Sequence, residues 1–437
     1  MTRWTIDGTS MDAATTRQPR ICWLTEEYFP PDVGGMGVIA GSLSRGIAAQ
    51  GLEVRVITRR TQPPTAAQEL IGAVHLRRIP PAGELKGTGL RALPVVLGYL
   101  MRLAVVLIME ARNFDVVIIS GMKIIPLVAV PLCRLLGKKT VVRVESPFEL
   151  VEPISTESLR TMNTVAARLL SQVLRRMQGT VLRHADCVIA ISQDMHSLLQ
   201  RSVSGPARIV SIPNGIDLRR FKPVAAEEKA SLRARLEIPP GKTVVAYAGR
   251  ISRSKGIVML IEAWSELVAK HSDLYMVVVG GALGSWDDCE REVIELIDRH
   301  RLQDCVCMAG ASDRVHEYFQ AADLFVLPSD YEGFGLTLVE ALACGLPAVA
   351  TSVGVAPQII DSGSNGFLCP PQDRRALLAA LEEGLRRRAE WPEMGRRARA
   401  AVADFDLSQV SARYATLCRE LNGGGRSKRR IMSQTGS

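Results

Sequence analysis

Short apolar runs alternate with longer amphipathic stretches along almost the whole chain. Runs rich in Val and Ile that are bounded by Gly, Pro or Asp, and separated by helical lengths, are typical of parallel sheets built from β-α-β units. The pattern occurs twice, so it predicts an α/β protein with two Rossmann-like domains. The predicted strands are 20–24, 53–58, 115–119, 139–144 and 186–191, followed by 208–212, 243–248, 274–279, 305–308, 323–327 and 347–350.

Turn-forming residues separate the two halves of this pattern. The break at 206–223 contains the turn Pro213-Asn214-Gly215 and precedes a charged helical stretch, which places the domain boundary after residue 206. The closing segment is rich in Gly and basic residues, as expected of a flexible tail. The predicted units are an N-terminal extension (1–19), a first domain (20–206), a second domain (207–405), a last helix (406–421) and a basic tail (422–437).

Composition agrees with a globular protein of two or three domains. The chain has 437 residues, of which 47% are hydrophobic and 23% charged, so each domain can bury a sizeable core. Its nine cysteines include no C-x-x-C pair, which disfavours a zinc or redox motif and favours a reduced, cytoplasmic compartment. Residues 1–19 lack the apolar run of a secretory signal.

One apolar segment, 92–109, is a candidate membrane span. It is at the short limit for crossing a bilayer, and it contains Pro94, Gly98 and, near its middle, Arg102. A central Arg costs about 2.5–3.5 kcal/mol on insertion scales. We therefore expect a buried helix beside a sheet instead of a span.

The net charge of +9 is clustered along the chain. A basic helix face is commonly just solvated, but it also attracts an anionic membrane surface, which is a candidate partner. Nucleic acid is disfavoured because aromatic residues make up only 5% and no binding motif is present. The clearest cluster, on one predicted helix, is Arg168, Arg175, Arg176, Arg183 and His184.

Two basic residues follow the strand at 243–248. Arg250 ends the strand and Lys255 precedes a helix, so both can point at one anion beyond the carboxyl edge of the sheet. Ligands of open α/β sheets bind at that edge. Solvated loop charges are an equally good interpretation of this motif alone.

A stronger signal follows the strand at 323–327, where a Gly-rich loop leads into a helix that begins near Leu336. Gly333 and Gly335 allow the backbone to approach a ligand, and the amides at the helix start attract a diphosphate. Glu332 and Glu340 lie on either side of this anion site, about 12 Å apart by helical rise. That separation suits hydrogen bonds to a sugar at one end and to a ribose at the other.

These motifs resemble glycosyltransferase family 4, whose members are retaining sugar transferases of the GT-B fold, with two Rossmann-like domains facing across a cleft. The resemblance covers nearly all of the chain except its two ends. The matching stretches are the glycine loop within 28–58, IPNGID (212–217), AGRISRSKG (248–256), VVVGG (277–281) and residues 321–354, which contain EGFGLTLVEALACGLP.

The resemblance implies a role for each matching residue. Arg250 and Lys255 would neutralise the donor diphosphate, and Glu340 would bind the ribose hydroxyls. Glu332 would hold the transferred sugar. The remaining donor-binding residues would be Gly333, Phe334, Gly335 and Leu336 at the helix start, with Gly34 and Gly35 closing over the diphosphate from the first domain.

Three further positions have open interpretations. Many family members carry a His after the strand at 139–144, where this chain has Glu145 and Glu149. Ser192 lies at the end of a strand lining the cleft, or it caps the following helix. Gln358 replaces a Glu that is common in the family, which suggests a different donor or acceptor.

The resemblance also implies a chemistry without cofactor or metal, in which fixed positive charge stabilises the leaving diphosphate. The only D-x-D string, Asp404-Phe405-Asp406, is interpreted as the start of the last helix. The expected partners are a nucleotide-diphosphate sugar and a hydroxyl acceptor, lipid-linked or saccharide, met in the cytoplasm or at the inner face of the membrane. The alternatives are a non-catalytic nucleotide-sugar-binding protein and a nucleotide-sugar epimerase of the same fold.

Overall fold

A computed structural model describes residues 17–29, 34–60, 65–80, 93–146, 164–202, 208–282 and 287–423. The side chains of 164–171 and of residue 93 are not part of this description. Most of the predicted N-terminal extension, Glu149 and the tail from residue 424 lie outside the described residues.

The first domain is built on an eight-stranded sheet with the order β3-β4-β2-β1-β5-β6-β7-β8. All neighbouring pairs are parallel except β3 and β4, which form an antiparallel hairpin at one edge. The strands are β1 (Ile21–Thr25), β2 (Val54–Arg59), β3 (Gln68–Ile71), β4 (Val74–Ile79), β5 (Val116–Ser120), β6 (Lys139–Val144), β7 (Cys187–Ala190) and β8 (Arg208–Ser211).

The second domain has a six-stranded parallel sheet with the order β11-β10-β9-β12-β13-β14. Its central strands are almost entirely buried, which explains why they are continuous apolar runs in the sequence. The strands are β9 (Thr243–Ala248), β10 (Leu274–Val279), β11 (Val306–Gly310), β12 (Leu324–Leu327), β13 (Ala348–Thr351) and β14 (Gly366–Cys369).

Helices cover both faces of each sheet, as in doubly wound folds. Those of the first part of the chain are α1 (Gly35–Ala49), α2 (Leu93–Glu110), α3 (Ile125–Leu135), α4 (Thr164–His184) and α5 (Gln193–Ser202). Those of the second part are α6 (Ala226–Arg235), α7 (Ile257–Val268), α8 (Glu290–Arg299), α9 (Val315–Ala321), α10 (Leu336–Ala343), α11 (Ala356–Ile359), α12 (Arg374–Arg386), α13 (Trp391–Ala401) and α14 (Leu407–Gly423).

The two faces of the first sheet are packed by different helices. Helices α2, α3, α4 and α5 bury their apolar residues on one face. Helix α1 covers the other face together with α14, which returns from the second domain. Val410 and Tyr414 of α14 are fully buried against Trp23 of β1 and Ile39 of α1, so the last helix belongs to the core of the first domain.

The parallel strands are confirmed, several of them to the residue, but three strands were missed and one was assigned to the wrong sheet. The hairpin β3–β4 is polar on its exposed side, and β14 has only four residues, so neither has a long apolar run. Strand β8 pairs with β7 in the first sheet, although the predicted boundary placed residues 208–211 in the second domain. The domain boundary therefore follows β8, at the predicted turn Pro213-Asn214-Gly215, and does not precede the strand.

The segment 92–109 forms α2, but the expectation of a buried helix was wrong for one of its sides. Tyr99, Leu103 and Leu107 are buried against the sheet. The opposite side is exposed and equally apolar. By length and hydropathy alone, residues Pro94–Asn113 would be able to cross a membrane.

The chain crosses between the domains twice, and the two crossings touch. The first follows β8, and the second precedes α14. Ile216 donates its backbone amide to Phe405 O (2.9 Å) and accepts from Leu407 N (2.9 Å), which forms a parallel bridge between the two crossings. A Cβ at Gly215 would lie 3.0 Å from Leu407 Cα, so this glycine permits the close approach.

Candidate donor-binding site

The predicted Gly-rich loop lies at the carboxyl edge of the second sheet, between β12 and α10. Gly335 has φ 95°, a left-handed conformation that favours glycine and turns the chain directly into α10. The first amides of an α-helix have no partner within the helix and carry the positive end of its dipole. The loop therefore places the start of α10 at the carboxyl edge of the sheet, where the sequence predicted an anion site.

Lys255 and Glu332 form an ion pair in this loop region. Lys255 Nζ lies 2.8 Å from Glu332 Oε1, and Ser329 Oγ donates to the same oxygen at 2.8 Å. Both charged side chains are partly buried, with 18% and 12% exposed. The sequence gave no sign of this contact, because the two partners are 77 positions apart in the chain.

Gly256 explains how the two loops come together. It has φ 68°, and a Cβ at this position would lie 1.9 Å from Pro328 O, so no other residue fits without moving the backbone. The loop after β9 thus packs directly on the loop after β12. Asp330 N donates to Ser254 O at 3.0 Å across this contact.

Arg250 is exposed on the same loop as Lys255. Its backbone is held by Tyr247, whose hydroxyl donates to Arg250 O at 2.8 Å. Asp287 accepts from Ser254 N at 3.0 Å and fixes the next turn of the loop. The structure therefore brings Arg250, Lys255 and Glu332 to one edge of the sheet, as the resemblance implied.

Glu340 has a different environment from Glu332. It lies on α10 among apolar neighbours, and within the described residues its carboxyl group has no hydrogen bond or ion pair. Burial raises the pKa of Glu340 to about 8, and the positive charge of Arg220 opposes this shift. Glu340 is half-buried and its oxygens are not fully enclosed, so hydroxyl donors from a ligand can reach and satisfy its carboxyl group.

Two residues that the sequence analysis missed support the Gly-rich loop. Ser329 orients Glu332, and Thr351 Oγ1 donates to Ser329 O at 2.6 Å. Gly354, at φ 59°, approaches the loop so closely that a Cβ would lie 2.5 Å from Phe334 O. The signal available in the sequence was the position of Ser329 and Thr351 at the carboxyl ends of two neighbouring strands. Gln358, on α11, is exposed.

The first domain touches this loop from the opposite side. A Cβ on Gly333 would lie 2.3 Å from Glu145 O, so the glycine lets the two backbones meet. Ser146 Oγ and Tyr331 Oη share a hydrogen bond of 2.8 Å. Leu336 packs against the buried clusters of both domains. The candidate site therefore lies between the two sheets.

Glu145 takes part in a buried cluster of its own. Arg143 on β6 is fully buried, forms an ion pair with Glu145 and donates to Asn214 Oδ1. Burial raises the pKa of Glu145, and the neighbouring Arg143 opposes the shift. Asn214 lies in the first crossing between the domains. The cluster thus ties the end of β6 to that crossing.

The other predicted positions are distributed as follows. Gly34 and Gly35 lie at the start of α1, and a Cβ on Gly34 would lie 2.4 Å from Glu27 Oε2. Ser192 is buried and accepts from Met195 N at 3.3 Å, so it caps α5, the second of its two interpretations. Asp406 accepts from Ser408 N at 2.9 Å at the start of α14, as expected of a helix-start residue.

Among the described residues, no group of three or more His, Cys, Asp or Glu side chains is arranged to hold a metal ion. All nine cysteines are free. The basic side chains near the Gly-rich loop include Arg250 and Lys255.

Two sequence families match the chain, one in each domain. Residues 34–215 match "Glycosyl transferase 4-like domain", and residues 228–401 match "Glycosyl transferases group 1". A similar protein is the D-inositol 3-phosphate glycosyltransferase of Kineococcus radiotolerans, 31% identical over 410 residues, which are 86% of this chain and 87% of that protein.

Solved structures with the same arrangement of domains include sucrose-phosphate synthase from Thermosynechococcus elongatus. It matches with a TM-score of 0.78 and 26% identity, covering 94% of this chain and 100% of that one. Anabaena HepE, solved in complex with UDP-glucose, matches with a TM-score of 0.70 and 22% identity, covering 92% of this chain and 100% of that one. Their likeness agrees with two parallel-sheet domains facing across a cleft.

Proposed function

Since the chain belongs to glycosyltransferase family 4 and has the GT-B fold, we propose that it transfers a sugar from a nucleotide-diphosphate donor to a hydroxyl group with retention of configuration. The proposal of a donor site here is supported mainly by the arrangement of side chains along the Gly-rich loop and α10. A lysine and a glutamate meet at one end, and an unpartnered carboxyl group lies along the helix.

Each end of this arrangement suits a different part of the donor. Glu340 would accept hydrogen bonds from the ribose hydroxyls. Lys255, Arg250 and the amides of Gly333, Phe334 and Gly335 would bind the diphosphate and the sugar, with Glu332 holding a sugar hydroxyl. Gly34 and Gly35 would close over the diphosphate from the first domain, since they begin a helix on that side of the cleft.

Retention requires the acceptor to enter on the face that the diphosphate leaves. The bond from the anomeric carbon to the phosphate oxygen breaks, and a bond to the acceptor oxygen forms on the same face. The acceptor proton passes to the departing phosphate oxygen. The protein supplies orientation and fixed positive charge, which lower the barrier as negative charge develops on the leaving group.

The neutralising charge is proposed to come from Arg250 and Lys255, without a metal ion or other cofactor. Transfer should therefore continue in EDTA at the same rate as in untreated protein. Activity that is lost in EDTA and restored only by divalent ions would assign this role to a metal instead.

The acceptor is proposed to be a hydroxyl group of a saccharide or of a lipid-linked intermediate, met in the cytoplasm or at the inner face of the membrane. The exposed basic residues of α4 support a location beside anionic lipid. The similar proteins named for D-inositol 3-phosphate make that molecule a soluble acceptor to include in any test.

The test is to incubate the purified protein with UDP-, GDP- and ADP-sugars, alone and with a panel of acceptors that includes D-inositol 3-phosphate and lipid-linked sugars. Release of nucleoside diphosphate identifies the donor, and the anomeric configuration of the product is measured by NMR. We expect a product with the configuration of the donor. Lys270→Ala, which removes an exposed lysine of the same domain, serves as the control for Lys255→Ala.

The alternatives predict other outcomes. An inverted product would contradict the mechanism. Release of a sugar epimer without acceptor would identify an epimerase, and donor binding without turnover under any condition would identify a binding protein.

A further inference from the structure

We propose that the outer face of α2, α3 and α4 binds the surface of an anionic lipid bilayer, with the exposed side of α2 entering the headgroup region. The inference deepens the proposed function, because it rests on an acceptor met at the membrane, and it identifies the residues that would contact lipid. Five exposed apolar residues in the middle and last turns of α2 are called the apolar stripe; they are Leu97, Met101, Val105, Ile108 and Met109.

The apolar stripe follows the period of a helix. Leu97, Met101 and Val105 follow one another at intervals of four residues, and Ile108 and Met109 lie three and four residues after Val105, so all five lie on one side of α2. They are strongly exposed, with 69% for Met101 and 65% for Met109. The opposite side of α2 is already buried in the domain core, so the helix has apolar residues on two sides and only one of them is covered. Contiguous exposed apolar surface of this kind marks an interaction site.

The apolar surface continues onto the neighbouring helices. Helix α3 packs between α2 and α4. Leu135 of α3 and Val173 and Met177 of α4 are also exposed. The three helices therefore form one layer whose outer side combines apolar residues from each member.

The charges on this layer are almost all positive. Within 93–110, 125–135 and 164–184, the only acidic residue is Glu110, and its carboxylate is held by Arg77 at 2.6 Å. A surface with exposed Arg residues and no competing carboxylate complements lipid phosphates. The exposed basic residues are Arg102, Arg134, Arg175, Arg176, Arg183 and His184, with Arg112 just after α2.

A bilayer surface fits this combination better than the other candidates. A narrow apolar stripe flanked by Arg is typical of helices that lie in the membrane interface. The stripe contains no aromatic residue on which bases would stack, which disfavours nucleic acid. Met and Arg are also enriched in protein interfaces, so the test below measures the oligomeric state as well as lipid binding.

The same contacts exclude a role for α2 as a membrane span. Tyr99, Leu103 and Leu107 are buried against the first sheet. Inserting α2 across the bilayer would pull these residues from the core and expose the sheet. The helix therefore contacts lipid while it remains part of the domain.

The experiment measures co-sedimentation of the full chain with phosphatidylcholine vesicles, with and without phosphatidylglycerol, over a range of salt concentrations. We expect binding to the anionic vesicles only, and weaker binding as salt rises. Two double variants separate the contributions: Met101→Gln with Ile108→Gln for the stripe, and Arg175→Gln with Arg176→Gln for the charge.

Each double variant should lower vesicle binding by about tenfold or more, since both changed surfaces contribute to interfacial binding. The controls are Leu70→Gln with Ile294→Gln, which are exposed apolar residues elsewhere, and Arg396→Gln with Arg397→Gln on α13. Neither control should change binding. In a Met101→Trp variant, brominated lipid should quench the new fluorescence.

Three outcomes would overturn the proposal. The first is that the protein fails to bind anionic vesicles at low salt. The second is that the stripe variant binds as well as the parent, and the third is that the controls lose as much binding as the test variants. A stripe variant that converts a dimer to a monomer without affecting lipid would identify a protein interface instead. Donor hydrolysis measured in solution without vesicles shows separately whether the proposed transferase activity is present.

Discussion

At the carboxyl edge of the second sheet, Lys255 and Glu332 pair while partly exposed, and Glu340 has no partner in the described residues. At the corresponding edge of the first sheet, Arg143 and Glu145 pair in the interior, and the Arg also binds the crossing between the domains at Asn214. The first group can exchange its contacts for those of a ligand. The second group connects β6 to the crossing between the domains and so stabilises the fold.

The two glutamates are almost equally exposed, at 12% for Glu332 and 11% for Glu145, so the difference lies in the cations: Lys255 is 18% exposed and Arg143 is fully enclosed. The Lys255 ammonium keeps some contact with solvent, so this pair is less costly to open and its residues are available for substrate. A buried pair is costly to break, because the remaining partner keeps an uncompensated charge. We therefore expect substitutions in the second domain to change catalysis, and substitutions of the Arg143 cluster to change the free energy of unfolding.

The largest expected effect is on catalysis by Lys255→Ala. Removing one fixed charge from the leaving group should lower kcat/KM by about 100- to 1,000-fold, as loss of an electrostatic donor does in other enzymes. Arg250→Ala should act in the same direction. The melting temperature should stay close to that of the parent, since neither side chain is part of the core. Near-parental turnover of either variant, with Lys270→Ala as control, would remove that residue from the mechanism.

The next effect is on stability. Arg143→Met should lower the free energy of unfolding by about 3 kcal/mol, because Glu145 would lose its buried partner. Adding Glu145→Gln to this variant should restore most of the loss, since no buried charge then remains. Urea unfolding of the two variants measures both values. If Arg143→Met unfolds like the parent, the cluster is not the structural tie described above.

The two glutamates of the donor site should differ in their kinetics. Glu340→Gln should raise the donor KM by about tenfold with little loss of kcat, because a ribose contact acts equally in the ground state and transition state. Glu332→Gln should mainly lower kcat, since its carboxylate lies near a sugar that gains positive charge. Steady-state rates at saturating acceptor distinguish the two. The reversed pattern would mean that the roles are exchanged.

The smallest effect is the pH dependence of nucleotide binding. With its pKa raised to about 8, Glu340 is mostly protonated at neutral pH, whereas ribose hydroxyls would donate to its ionised form. Affinity for the nucleoside diphosphate should therefore rise between pH 7 and 8, by at most about tenfold per pH unit for one released proton, and then level off. Calorimetry in two buffers of different ionisation heat measures that proton, and Glu340→Gln should not release it.

The raised pKa of Glu340 also makes the stability of the fold depend on pH. Burial raises the pKa of Glu340 above its unfolded value. The contribution of this side chain to the free energy of unfolding is therefore fully present below about pH 4.5, and it is lost as the pH rises through about 8. Glu340→Gln should therefore stabilise the protein at alkaline pH, the opposite of what Arg143→Met does. Thermal unfolding at pH 6 and 9 compares the parent with the variant.

The sequence predicted those strands that are continuous runs of buried apolar residues. Strands Lys139–Val144, Thr243–Ala248 and Leu274–Val279 were located to the residue, because parallel strands covered on both faces are continuous apolar segments. The hairpin β3–β4 was missed because an edge hairpin with one polar side lacks such a run. The packing of α14 on the first domain could not be inferred, since its apolar face does not specify which core it covers.

For the candidate site, the sequence could indicate residues but not the contacts among them. Local motifs identified Arg250, Lys255, Glu332 and Glu340, because glycines and charges at a strand-to-helix turn are visible in the sequence. The contacts among them depend on tertiary structure. The pairing of Lys255 with Glu332, the support from Thr351 and the buried position of Arg143 all join segments that are distant in the chain.

The paired crossings between the domains have a mechanical consequence. With a single connecting segment, one domain could rotate about individual backbone bonds. Here two connecting segments run side by side and are bridged at Ile216 and Asp406. Both segments must bend at the same place, so we expect a hinge motion in which the domains open and close about one axis with little twisting. Such a restriction would return the Gly-rich loop to the same position over Glu145 in every closing movement.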